Sequence, residues 1–413
     1  MSVVILSQPE AYSLAYNDNP YVFFSSNFSP TQRFEVSVIP PTYPTEPVLS
    51  TVRVYPTRAV TNGGAIQTNK AYYDPSRILQ TQIAPNVAIP SANHATLFAC
   101  ANMSYQYRLF IREEIKNAQG VYEYADSKIT ELKTVWNGVR NTLDWLNFDY
   151  TDYDNIVTGK KFLTDAPRTQ YIDSDQSAFL YFLDSSIAID DLRLVAFDSS
   201  GSSIATASIT LKQSDKFSRV CVGTYDLVNS DASAWSGSTP STFLNGASGY
   251  TVQIRSTSNS VVSETFTFYI NGRCSKYEPI RLHWLNRLGG FDSFNFNLKS
   301  MEETDITRAS YKQEHHRFNG TNYLYDTTSR GVTDYHVMTQ DKLTVNTPFL
   351  TEAESVWMND FASSPVVYQE VNNQLIAMSG KPKMIAKQTS LNDKLMQYTF
   401  ELDYSITNNR QRG

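Results

Sequence analysis

Short runs in which apolar and polar side chains alternate recur along the chain, each ended by Pro, Gly, Ser or Asn, and this two-residue period limits the fold more than any other feature. Alternation places successive side chains on opposite faces of an extended backbone, so one face packs and the other meets water. Turn residues between the runs return the chain on itself. YVFFSS, RFEVSVI, STVRVYP, ATLFACANMS and YQYRLFIRE follow one another in this way. In the last of them Tyr105, Tyr107, Leu109 and Ile111 alternate with Gln106, Arg108 and Phe110. The 26 Tyr, the 22 Phe and a charged fraction of only 18% push the same way, toward strands rather than helices.

At 413 residues the chain is long enough for several cores. The expected class is mainly β: tandem antiparallel β-sandwich domains with a small C-terminal α+β module. Residues 1–120 read as the first sandwich. Residues 121–165 turn aromatic and acidic and read as a partly helical insertion or linker, with Trp136, Val139, Leu143 and Leu146 on one helical face. Residues 166–275 read as a second sandwich, Ig-like or jelly-roll-like, built from FLYFLD, DLRLVAFDSSG, SIATASITL, RVCVGTYDL, YTVQIRS and SETFTFYING. Residues 276–413 form the α+β module. There Thr351 and Glu354 make a capping box for a short helix that Ser364-Pro365 stops. Its closing strand follows an Asn392-Asp393 turn and alternates Met396, Tyr398, Phe400, Leu402 and Tyr404 with polar residues.

Chemistry is harder to find. No nucleotide-binding glycine loop, GxSxG elbow or HExxH helix occurs. A net charge of −6 gives no footprint for nucleic acid. Cys100, Cys221 and Cys274 are far apart and without metal-ligand spacing, so three buried or semi-buried thiols are expected and neither a zinc site nor a disulfide framework. Asp149, Asp152 and Asp154 invite a calcium site, but the glycine and terminal Glu of an EF-hand loop are missing, and a solvated acidic loop is the simpler reading. His315 and His316 beside Glu314 would point to opposite faces of a strand. The pairs Glu113-Glu114, Asp190-Asp191 and Glu302-Glu303 are neighbours in sequence, and no glycosidase geometry follows from that. The N-terminal stretch lacks a basic segment followed by an apolar one, and no long apolar run occurs, so no signal peptide and no membrane partner are expected.

The stretch 280–300 combines both questions. Ile280, Leu282 and Trp284 alternate with Arg281 and His283, and Phe294, Phe296 and Leu298 alternate with Asn295 and Asn297, the pattern of two half-buried strands. Leu288-Gly289-Gly290-Phe291 supplies the positive-φ positions of a tight reversal. A long scaffold hairpin is one reading; a catalytic pair of His283 with Asp292 is the other.

The residues HWLNRLGGFDSFNFNL resemble a WLN-x-LGG-x-(D/E)-x-F signature of virion proteins from tailed phages of Bacteroidota hosts, the crAss-like group among them. TEAESVWMNDFASSPVVYQE and LNDKLMQYTFELDYSITNNRQ resemble the end of those proteins, and NPYVFFSS, YYDPSRILQ and YQYRLFIRE extend the likeness to the N-terminal part. About half of the chain is covered, and 121–275 is not. Trp284, Leu285, Asn286, Leu288, Gly289, Gly290 and Phe294 match the signature and are assigned to fold and packing.

The resemblance implies a structural subunit of the tail, a ring, collar or baseplate component located in the virion and made in the host cytoplasm. No enzyme, catalytic residue, cofactor or metal carries over. The implied partners are copies of the chain in a ring, through head-to-tail contacts, and other tail or portal-proximal proteins. A tail fibre or carbohydrate-binding adhesin is the competing class. It would stack sugar rings on exposed aromatics, with Trp235, Tyr150 and Tyr153 as candidates. A depolymerase would need a carboxylate pair in a groove.

Overall fold

The computed structural model describes residues 3–26, 29, 31–60, 66–85, 97–154, 159–185, 189–211, 216–270, 276–314, 316–325, 327–328, 330–380 and 396–410. It is mainly β, with several antiparallel sheets and short helices. The chain divides into two compact units. The first contains Met1–Gln170, Ser177–Tyr269 and Asn286–Phe291, and the second Tyr171–Gln176, Ile270–Leu285 and Asp292–Gly413.

In the first unit, strands Val3–Ser7, Tyr21–Ser25, Ile66–Tyr73 and Thr57–Val60 form one sheet in that order. A second sheet runs Tyr12–Leu14, Lys133–Trp136, Ser104–Lys116, Arg33–Ile39 and Ser50–Val54, with Tyr122–Ile129 paired to Ser104–Lys116 as well. Val3, Tyr21, Phe23, Ala71 and Tyr73 of one sheet and Phe34, Val36, Val38, Tyr107, Leu109, Ile111 and Val135 of the other share one apolar core. The alternation read over Tyr105 to Ile111 is the reason: Tyr107, Leu109 and Ile111 are fully buried while Gln106, Arg108 and Phe110 are half-exposed. Asp74 opens a short turn by accepting from the backbone N–H of Ser76 at 2.9 Å, and the helix Ser76–Leu79 follows.

Three strands depart from the sequence reading. Tyr122–Ile129 and Lys133–Trp136, expected within a partly helical insertion, are strands of this sandwich. Trp136 ends the second of them, so the expected helix from Trp136 to Leu146 shrinks to Thr142–Leu146. The β-branched and aromatic residues Thr134, Val135 and Trp136 suit an interior strand, paired with Tyr12–Leu14 on one side and Ser104–Lys116 on the other, better than a helix. Leu97–Ala99, read as part of the first sandwich, pairs instead with Phe217–Cys221, which pairs with Phe179–Leu183.

Further along this unit, Phe266–Ile270, Gly249–Ser256, Ile189–Phe197, Ser203–Thr210 and Trp235–Gly237 lie side by side in that order. Leu192, Leu194 and Ala196 face inward with Tyr250, Val252 and Ile254. The Tyr250 hydroxyl donates to the Val222 carbonyl at 2.6 Å, fastening this sheet to the segment after Phe217–Cys221.

The second unit is a seven-stranded sheet ordered Phe291–Phe296, Ile280–Leu285, Val367–Val371, Gln374–Gly380, Thr399–Asn409, Val332–Asn346 and Met301–Lys312. One helix, Glu352–Ser363, covers part of it. Thr351 and Glu354 form the expected reciprocal cap, and Ser364 ends the helix. Trp357 and Phe361 reach down to Trp284 at ring-centroid distances of 4.9 and 5.1 Å, and Phe361 meets Phe400 at 4.7 Å. The closing strand begins at Thr399 rather than Met396, which forms an isolated bridge to Leu350. Phe400 and Leu402 face inward as the alternation requires. The Asn392-Asp393 turn and Cys274 lie outside the described residues; Cys100 and Cys221 are buried and not joined in a disulfide.

Candidate functional site

The strands Ile280–Leu285 and Phe291–Phe296 flank a turn in which the Asn286 N–H donates to the Gly290 carbonyl at 2.8 Å. The turn is built around the Asn286 side chain. Its Oδ1 accepts from the N–H groups of Leu288 and Gly290 at 2.9 and 3.0 Å, and its Nδ2 donates to the Leu163 carbonyl at 3.0 Å. Gly289 has φ +86°, and a Cβ there would overlap the Asn137 carbonyl oxygen. Gly290 has no such φ, but a Cβ would come within 2.8 Å of the Tyr181 ring. Only one glycine is needed for its backbone angle; the other is needed for closeness. The Leu288 carbonyl accepts from Trp136 Nε1 at 3.1 Å.

In the second unit, Trp284 is fully buried against Trp357 and Phe361, and Phe294 is half-buried against Phe296 and Trp357. The Leu285 N–H donates to Val366 at 3.0 Å. The indole N–H of Trp284 has no hydrogen-bond partner among the described residues, contrary to the expectation that a buried donor finds one.

These strands are buried on both faces, not half-buried. The polar positions that alternate with the apolar ones meet each other inside. His283 Nδ1 lies 2.7 Å from Ser293 Oγ, and its Nε2 lies 3.0 Å from Glu370 Oε2. Arg281 Nε is 3.4 Å from the same carboxylate oxygen, and its Nη1 donates to Asn295 at 2.7 Å. Asn295 donates to Gln176 at 2.6 Å. Burial lowers the pKa of His283, with the Glu370 hydrogen bond opposing it, so the neutral ring is favoured.

The expected alternative pairing of His283 with Asp292 does not form. Asp292 accepts from Trp357 Nε1 at 2.7 Å, on the helix-facing side. Ser293 and Glu370 were missed because neighbouring strands, not neighbouring residues, deliver them: Arg281 is opposite Glu370 in the ladder. A hydroxyl, an imidazole and a carboxylate in series resemble a nucleophile with its base. Here His283 is 0% and Ser293 7% exposed, so a substrate carbonyl has no approach to the hydroxyl. The set acts as a buried polar network whose members satisfy one another.

The acidic cluster comes apart. Asp149 accepts from the N–H and hydroxyl of Thr151, which lower its pKa; Asp152 pairs with Lys161 at 2.6 Å; Asp154 pairs with Lys160 at 3.0 Å. Among the described residues no group of three or more His, Cys, Asp or Glu is placed to hold a metal ion. Glu113 accepts from Gln32, Glu114 pairs with Arg33, and Asp191 pairs with Arg255. His315 lies outside the described residues, and His316 is exposed. Of the aromatic candidates, Tyr153 is buried under Arg140, Tyr150 packs on Tyr12, and Trp235 packs on Phe243 while donating to Ser230 at 2.8 Å. Tyr153 is thus withdrawn from the surface, while Tyr150 and Trp235 are half-buried.

What remains open is surface. Strand Met301–Lys312 is the last in its sheet, and all but one of its residues are exposed, on both faces. Met301, Ile306 and Tyr311 on it and Val332 and Tyr335 on the adjoining strand are each about half exposed. Beyond it, His316–Phe318 pairs among the described residues with Tyr323–Tyr325, and Phe318 and Tyr323 are 58% and 78% exposed. A two-sided ribbon with apolar residues in water lacks the packed face that stabilises a sheet. The first unit has a cleft of about 560 Å³ lined by residues 3–8 and 128–131, along the edge strand Val3–Ser7. Sequence reasoning passed over both. The signal for the ribbon was present: MEETDITRASYK lacks the apolar alternation of packed strands such as Ser104–Lys116 and Ile189–Phe197.

No protein-family model matches the chain, and no curated protein matches it.

Proposed function

We propose that this chain is a structural subunit of a phage virion, a ring, collar or baseplate component of the tail that assembles with copies of itself and connects neighbouring tail proteins. The observation that carries this reading is the ribbon of Met301–Lys312 with the start of Val332–Asn346, where Met301, Ile306, Tyr311, Val332 and Tyr335 are each about half exposed. A ring needs two unlike surfaces per subunit for its head-to-tail contact, and the ribbon edge and the cleft beside Val3–Ser7 are unlike. The signature residues from Trp284 to Phe294 support the same reading through the virion proteins they resemble, and they are used for packing and turn geometry.

The charges along Met301–Lys312 fit a selective contact. Glu302, Glu303, Asp305, Arg308 and Lys312 guard an open edge against indiscriminate pairing while leaving Ile306 and Tyr311 for the right neighbour. The test is replacement of Ile306, Tyr311 and Tyr335 by Ser together, followed by sedimentation. The native chain is expected to form a large species of defined size and the variant to sediment as single subunits with unchanged melting temperature. Equal assembly of both chains would remove the ribbon from the contact.

A further inference from the structure

Lysine is among the residues least often fully buried, yet Lys160 in the first unit is 1% exposed. Its Nζ donates to Asp184 Oδ1 at 2.8 Å, to Asp154 Oδ1 at 3.0 Å and to the Leu183 carbonyl at 3.1 Å. The Asp184 side chain is 0% and that of Asp154 14% exposed. Both carboxylates are held in place: Asp184 Oδ2 accepts from the Ile189 N–H at 3.2 Å, and Asp154 Oδ1 accepts from the Ser185 N–H at 3.0 Å, with the Ser185 hydroxyl on its other oxygen. The Lys160 backbone is equally fixed. Its N–H donates to Val262 at 2.7 Å and its carbonyl accepts from Glu264 at 3.0 Å.

Charges taken from water cost free energy that a salt bridge only partly recovers, and a proton passed from ammonium to carboxylate leaves a neutral amine beside a neutral acid. Those are the two species that condense to an amide. Fixed backbones hold them together at high effective concentration, away from bulk water that would reverse the reaction.

We propose that Lys160 and Asp184 are joined after folding by an intramolecular isopeptide bond. One proton passes from the Lys160 ammonium to the Asp184 carboxylate, the freed Nζ lone pair attacks Asp184 Cγ, and a C–N bond forms. Asp154 takes a proton from the nitrogen and returns it to the departing hydroxyl, the C–O bond breaks, and one water leaves; no oxidant or co-reactant is needed. Asp184 is the electrophile because its carboxyl lies nearest Nζ, at 2.8 Å, and is held there by the Ile189 N–H. Asp154, 3.0 Å from the same nitrogen, is placed to carry the proton between the two groups. The bond would tie the end of strand Phe179–Leu183 to a segment held on residues 262–264. The inference is independent of the virion reading.

The test is the intact mass of the full chain, denatured after folding and incubation. The expected result is a mass lower than that of the sequence by one water, and a protease digest containing a branched peptide that joins the Lys160 and Asp184 segments. Lys160→Arg, which keeps the charge, should have the full sequence mass, and Asp154→Asn should cross-link far more slowly. A native chain that has a folded β circular dichroism spectrum and the full sequence mass overturns the proposal. A branch at Asp154, or an Asp154→Asn variant that cross-links as fast as the native chain, overturns the assigned roles.

Discussion

Gly289 and His283 show how much a single position carries in this chain. An Ala at Gly246, where φ is +74° and the space for a Cβ is open, meets only the left-handed backbone penalty, about 1–2 kcal/mol. Gly289→Ala adds overlap with the Asn137 carbonyl to the same penalty, so chemical denaturation should place its loss clearly above that of Gly246→Ala. Equal losses would mean that the turn relaxes away from Asn137. His283→Gln should also be felt, because one amide cannot reach both Ser293 and Glu370; a loss of about 1–3 kcal/mol near neutral pH is expected. The lowered pKa of His283 fixes the sign of its pH dependence. Below the unfolded value of about 6.5 the unfolded chain takes up a proton that the folded chain resists, so stability contributed by this group is full above that pH and declines as pH falls. Melting curves between about pH 7.5 and 5.5 should show a steeper decline for the native chain than for His283→Gln; parallel curves would assign the decline to other groups. At this scale the sequence was half legible. The alternation of Arg281 and His283 with Leu282 and Trp284 is visible in it, but not that the polar face is also buried, because Glu370 arrives from a strand far along the chain.

Among the elements, the closing strand and the capped helix were the most readable. Thr351 and Glu354 satisfy each other's backbone within one turn, and that chemistry is local enough to read from four letters. Phe400 is 7% exposed and touches Phe361, Phe296 and Tyr398. Phe400→Ala should therefore cost about 3–5 kcal/mol in a thermal or denaturant melt, and an unchanged melt would place the ring outside the core. The segment around Trp136 was misread for the opposite reason. Its apolar spacing fits a helix face, and only the pairing of Val135 with Tyr105 and Ser13 decides for a strand. Leu97–Ala99 likewise sits among strands of one sheet in sequence and pairs with another in space. Long-range pairing is not written in any short window.

For the whole molecule, the β class follows from turn-broken alternation repeated along the chain. No helix among the described residues is long and apolar enough to cross a membrane. The proposed assembly surface was the least legible part. The missing apolar alternation of Met301–Lys312 marks a strand with no packed face among the described residues, but in the proposed assembly the surface that covers it belongs to a neighbour that the sequence does not contain. Two-dimensional class averages of the purified chain at high concentration, by electron microscopy, test the central claim most directly. The account predicts closed rings of rotational symmetry in which each subunit's Met301–Lys312 ribbon lies against the next subunit; particles that are single subunits at every concentration, with the ribbon free in solvent, would contradict it.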